Sequence, residues 1–167
     1  MSAHTARPPR PPRAARPPVP PSPTFEALDA THRQVVAMLQ RLQHLVDDVD
    51  RQGVDLVARK NAADICDFFD QTARAHHAAE DQFVFPGLLV SGDAALVQHV
   101  QRLQQDHGWL EEDWRELQPQ LLMLAEGYNG FDLDFLRAAI PIFTDLYRDH
   151  IFLEETVVYP ESRRRQA

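Results

Sequence analysis

The chain has 167 residues, 44% hydrophobic and 25% charged, with a net charge of −8, which suits one globular domain with a buried core. Its apolar runs fall far short of the ~20 residues a membrane helix needs, and the N-terminus lacks the apolar core of a signal peptide. A single cysteine, Cys66, excludes an intrachain disulfide, so the expected compartment is the reducing cytoplasm and neither an integral membrane protein nor a secreted disulfide scaffold is expected.

Residues 1–23 are rich in proline and arginine: nine of the 13 prolines lie in 8–23. Proline fixes φ and lacks the N–H donor, so this segment is expected to be a disordered tail that populates extended polyproline II. Arg7, Arg10, Arg13 and Arg16 recur every three residues and would line one edge of that conformation, a candidate docking strip for a protein partner. With four arginines and no acid in 1–25, the remainder carries −12, and so acidic a body repels nucleic-acid phosphates.

From residue 24 the pattern turns helical. A first stripe runs Phe25, Leu28, His32, Val35, Leu39, Leu42, Val46, Val49, and breaks at Gly53. A second runs Ala62, Ile65, Phe69, Ala73, His76, Glu80, Phe83 and is expected to stop at Pro86. A third runs Leu96, Val100, Leu103, His107, Leu110, Trp114, Leu117, Leu121, Leu124, with Pro119 expected to kink it or end it early. After the Gly127–Gly130 turn and a candidate N-cap at Asp132, the fourth runs Phe135, Ala139, Ile142, Leu146, His150, Leu153/Glu154, Val157, with a bend expected at Pro141 and an end at Pro160. The expected fold is all-α, an up-down-up-down four-helix bundle over 24–160 with a C-terminal tail at 161–167.

Each stripe carries one histidine on its apolar seam: His32, His76, His107 and His150. His76 and His150 each have a glutamate four residues on, Glu80 and Glu154, on nearly the same helical face. A buried carboxylate needs a partner, and a metal ion provides one. The second and fourth stripes also repeat each other, His76-x-x-x-Glu80-Asp81-x-Phe83-Val84-Phe85-Pro86 against His150-x-x-x-Glu154-Glu155-x-Val157-Val158-Tyr159-Pro160. Imidazole with carboxylate and no thiolate suits iron, manganese or zinc rather than a cysteine-type structural zinc site.

These residues resemble the hemerythrin-like, HHE cation-binding domain over roughly 24–160. The resemblance implies a four-helix bundle holding two non-haem iron ions with an oxo or hydroxo bridge, both glutamates bridging the irons. By motif the implied ligands are His32, His76, Glu80, His107, His150 and Glu154. The implied function is binding of a small ligand (O2, NO or peroxide) at an open iron position, in sensing, detoxification or iron handling. Whether the site turns over is left open. Oxygen-carrying members place two histidines in the third helix and five in all. Here the companion of His107 is Leu103 or Glu111, so a fifth histidine is not identified and Glu111 becomes a candidate seventh ligand. Two open coordination positions and irreversible oxidation would follow.

Among the neighbours, His77 lies about 100° off the seam and is expected at an interface or in solvent. His99 is a weaker candidate, and His4 and His44 fit no pattern. Glu155 is an alternative to Glu154, Trp109 and Trp114 read as packing, and Cys66 as a small buried hydrophobe. Two other readings compete: a metal-free helical adaptor with a docking tail, and a zinc-binding bundle.

Overall fold

The computed structural model describes residues 22–166, and the expected tail lies outside them apart from 22 and 23. All regular structure among the described residues is helical. The first helix is Phe25–Gln52. The Thr24 hydroxyl accepts from the Ala27 N–H at 3.2 Å, and Gly53, at φ 77, takes a conformation that a side chain would strain. The second spans 56–89, opens on the cap of Asp55, and contains two π-helical segments, Phe68–Ala73 and Glu80–Val84. The third, Ala94–Glu126, is capped by Asp93 and closed by Gly127 in the left-handed region. The fourth is Leu133–Leu153, a π-helical segment Glu154–Val158 and Tyr159–Gln166, and the expected Asp132 cap accepts from the Phe135 N–H at 2.9 Å. The first and third helices each pack against both the second and the fourth.

Several expectations are corrected by the structure, most of them through the π-helical turns. The second helix continues past Pro86 to Leu89, and the fourth past Pro160 to Gln166, where Ser162 is buried. In both places a π turn ends just ahead of the proline, which then sits in the first turn of a new segment, where a missing N–H and a fixed φ are tolerated. The same turns advance the register by one residue, so Val84 and Val158 are fully buried and Phe83 and Val157 only partly. The third helix runs through Pro119 to Glu126 without ending early. In the fourth helix the buried stripe is Leu136, Ile140, Phe143, Tyr147 and Ile151, leaving Ile142 67% exposed. That helix is apolar around most of its circumference, so the sequence period alone selects between two stripes poorly.

The core divides into two apolar clusters. One gathers Val35, Leu39, Ile65, Phe69, Leu110, Leu117 and Phe143; the other Leu28, Phe85, Leu103, Val158 and Tyr159. Along the first three helices buried polar residues fall between them: His32 between Leu28 and Val35, His107 between Leu103 and Leu110, His76 and Glu80 between Ala73 and Val84; in the fourth, Glu154 lies between Ile151 and Val158.

Candidate metal centre

Six buried polar side chains meet between the clusters: His32, His76, Glu80, His107, His150 and Glu154. Together with the half-buried His77 they form two groups whose donor atoms lie within 4.8 Å of one another, His32, His76, Glu80, Glu154 and His77, Glu80, His107, His150. Glu80 turns Oε1 to His76 Nε2 at 3.3 Å and Oε2 to His107 Nε2 at 3.4 Å. Glu154 turns Oε2 to His32 Nε2 at 3.1 Å and Oε1 to His150 Nε2 at 3.3 Å. Each carboxylate thus offers one oxygen to each group.

The second group contains a residue that sequence reasoning set aside. His77 is half-buried and turned into the bundle rather than to solvent; its ring stacks on His107 with centroids 4.1 Å apart and planes at 15°. Its predecessor His76 meets His32 instead, at 4.7 Å. A helix in a bundle faces two neighbours roughly at right angles, and adjacent residues are about 100° apart. Residues 76 and 77 therefore address one neighbour each. The adjacent histidine pair was the available signal, and counting a single seam per helix hid it. With His77 the site gathers five histidines, so the fifth is present, supplied by the second helix. Glu111 is not in either group: its Oε1 lies 2.6 Å from Arg74 Nη2, over a cleft that His77 and Tyr147 help to line. Among the described residues His99 and His44 belong to neither group. Trp114 is buried and donates to Asp70 Oδ1 at 2.8 Å, whereas Trp109 is 47% exposed and so is not a core packing residue.

Two further carboxylates orient imidazoles from behind, and a third lies near His150. His32 Nδ1 lies 3.0 Å from Glu155 Oε1, and His107 Nδ1 lies 3.3 Å from Asp81 Oδ2. His150 Nδ1 lies 3.7 Å from the buried Asp106. Asp81 and Glu155 follow Glu80 and Glu154 in the repeat, so their recurrence was the sequence cue to a shared role. Fixing one ring nitrogen in this way aims the other into the site.

The electrostatics follow from burial and the two glutamates. Burial, with the His32 charge adding to it, depresses His76 to about 3, and burial with the neighbouring His107 holds His77 well below its ordinary value. Burial acts the same way on His150, but the Glu154 carboxylate outweighs it and lifts the ring to about 10. His32 and His107 are likewise raised against burial, by Glu154 and by Asp81. Burial and the Glu154 charge raise Glu80, whereas in Glu154 the His150 charge overcomes burial and holds the carboxyl low.

The residues fit a metal pair on a test independent of any family. His76 Nε2, His77 Nε2, Glu80 Oε2, His107 Nε2, His150 Nε2 and both Glu154 oxygens are buried with no hydrogen-bond partner. Each orphaned buried polar atom costs about 1–3 kcal/mol, and these all converge on two points. Cations at those points would satisfy them together.

The chain is similar to an uncharacterized protein of Haemophilus influenzae, 28% identical over 130 residues that cover 78% of this chain and 73% of that one. No solved structure matches significantly. The family model for the hemerythrin HHE cation binding domain matches residues 24–162, and the chain belongs to that family.

Proposed function

We propose that this protein is a non-haem di-iron protein that binds O2, NO or peroxide as a small ligand, with His32, His76, Glu80, His107, His150 and Glu154 as metal ligands and His77 as a further one. The observation that carries this reading is the pair of buried donor groups sharing Glu80, with most of their metal-facing atoms left without hydrogen bonds. The all-imidazole and carboxylate donor set suits iron, and helical bundles build di-iron sites from such residues on facing helices. When bound, two irons joined by an oxo or hydroxo bridge supply redox-active Lewis-acid positions.

The chain's own residues do the rest. Glu80 and Glu154, each with an oxygen toward either group, hold two cations close together and offset their charge. Asp81 and Glu155 fix the ring orientations of His107 and His32. The apolar layers above and below, among them Leu103 and Leu110, exclude bulk water and large substrates while admitting a diatomic molecule. Three imidazoles serve one group and two the other, so the coordination position left for a small ligand lies on the His32/His76 side. With His77 counted, one position is open rather than two, and the expectation of irreversible oxidation loses its basis. The neighbour pairs and short links support an up-down-up-down order, and the single buried Cys66 suits the cytoplasm. No helix among the described residues is long and apolar enough to cross a membrane.

The test is optical: reduced, iron-loaded protein is mixed anaerobically with NO and then, separately, with O2. A ligand-dependent change in the visible spectrum is expected. Iron-loaded protein whose spectrum responds to neither, nor to peroxide, would contradict the reading.

A further inference from the structure

The internal repeat makes the two halves of the site comparable residue by residue, and two of their differences bear on the donor set. The helix-two run supplies His76-His77 where the helix-four run supplies His150-Ile151, and Phe85 where helix four supplies Tyr159. The aromatic pair keeps its place: Phe85 stacks on His107 at 5.6 Å and 24°, and Tyr159 on His32 at 5.3 Å and 10°. The half that gains the imidazole of His77 has a phenyl ring at this place, and the half that has Ile151 gains a phenol. The Tyr159 side chain is fully buried. Its hydroxyl donates to Glu80 Oε1 and lies 3.2 Å from His32 Nε2.

Those two acceptor atoms are the ones that face the His32/His76 group. A nitrogen or oxygen donor sits ~2.1 Å from a transition-metal ion, so two donors at right angles on one ion lie about 3.0 Å apart. The phenol oxygen has this spacing to His32 Nε2. Tyr147, the other buried tyrosine, instead packs its ring against His77 at 5.6 Å.

We propose that Tyr159 supplies the third side-chain donor of the His32/His76 metal position and that exogenous small ligands compete with its phenol oxygen for that position. This deepens the di-iron reading and rests on it. One ion is held by three imidazoles, the other by two imidazoles and a phenol oxygen, beside the shared glutamates. As the phenol oxygen binds the ion its proton passes to solvent, and Glu80 Oε1 exchanges that hydrogen bond for the ion. Displacement by an incoming ligand reverses the exchange, so Tyr159 governs access rather than leaving the position free.

The experiment uses the full chain loaded with ferric iron, with and without ring-deuterated tyrosine, and reads resonance Raman scattering excited in the visible band. Iron-bound phenolate ring vibrations that move with the label are expected in the wild type and in Tyr147→Phe, and absent in Tyr159→Phe at unchanged iron content. Azide is the competing probe. If the phenol oxygen holds the position about nine-tenths of the time, Tyr159→Phe binds azide about tenfold more tightly. Iron-loaded wild type without phenolate vibrations, or with the azide affinity of Tyr159→Phe, overturns the proposal and leaves the di-iron reading standing. A chain that takes up no iron overturns both. The labelled wild type decides the matter even where Tyr159→Phe folds poorly.

Discussion

Glu155 Oε1 lies 3.0 Å from His32 Nδ1 across 123 residues of sequence, and Asp81 repeats the arrangement on His107 at 3.3 Å. The acid that follows each shared glutamate thus braces a histidine of another helix. The sequence offered Glu155 as an alternative to Glu154; the bracing gives Glu155 a role beside Glu154 instead. Glu155→Gln and Asp81→Asn are each expected to weaken metal binding about 10–100-fold, the usual consequence of removing an outer partner. Glu154→Ala should remove at least half of the bound metal outright. Metal titrations of the three variants check this, and Glu155→Gln with wild-type affinity would contradict it.

His77 belongs to one of the two groups alone. His77→Ala should lower the metal content from about two ions per chain toward one, because the His107/His150 group loses one of its three imidazoles while the His32/His76 group keeps all its donors. His99→Ala and His44→Ala should leave the content unchanged. Elemental analysis of the three purified variants is sufficient, and equal content in His77→Ala and wild type would remove His77 from the ligand set.

Metal uptake should release protons and strengthen as pH rises. In the metal-free protein His150 is raised to about 10 and Glu80 to about 7, so both hold protons around neutrality that a cation must displace. His76, depressed to about 3, is already neutral and contributes no proton. The metal-free fold responds with opposite signs at the two ends. The His150 contribution is full below its unfolded value of 6.5 and is lost as pH rises through about 10, whereas His76 costs stability as pH falls from 6.5 toward about 3. Calorimetry of zinc binding in buffers of different ionisation enthalpy measures the protons released. A heat independent of buffer would contradict the protonation pattern.

Much of the site was legible in the sequence because its residues obey the helical period. His32, His76, His107 and His150 sit on apolar seams, and Glu80 and Glu154 follow two of them at the helical repeat. His77 was not legible from one seam per helix; it needed the neighbours on both sides of the second helix. The π-helical turns that begin at Glu80 and Glu154 were also invisible, because an i→i+5 turn leaves no residue signature in an apolar run. They shift burial from Phe83 to Val84 and from Val157 to Val158 and carry the helices past their prolines. The fourth helix misled for a different reason: Phe135, Ile142 and Leu146 form as apolar a line as the one that is buried. Glu111 looked like a ligand by spacing alone, but an arginine within 2.6 Å accounts for it.

The central claim is that the two donor groups hold a pair of irons. Metal analysis of protein purified from iron-sufficient medium, expressed per folded chain, tests it most directly. The account predicts about two irons per chain and negligible zinc. One zinc with no iron, or a folded chain free of metal, would contradict it.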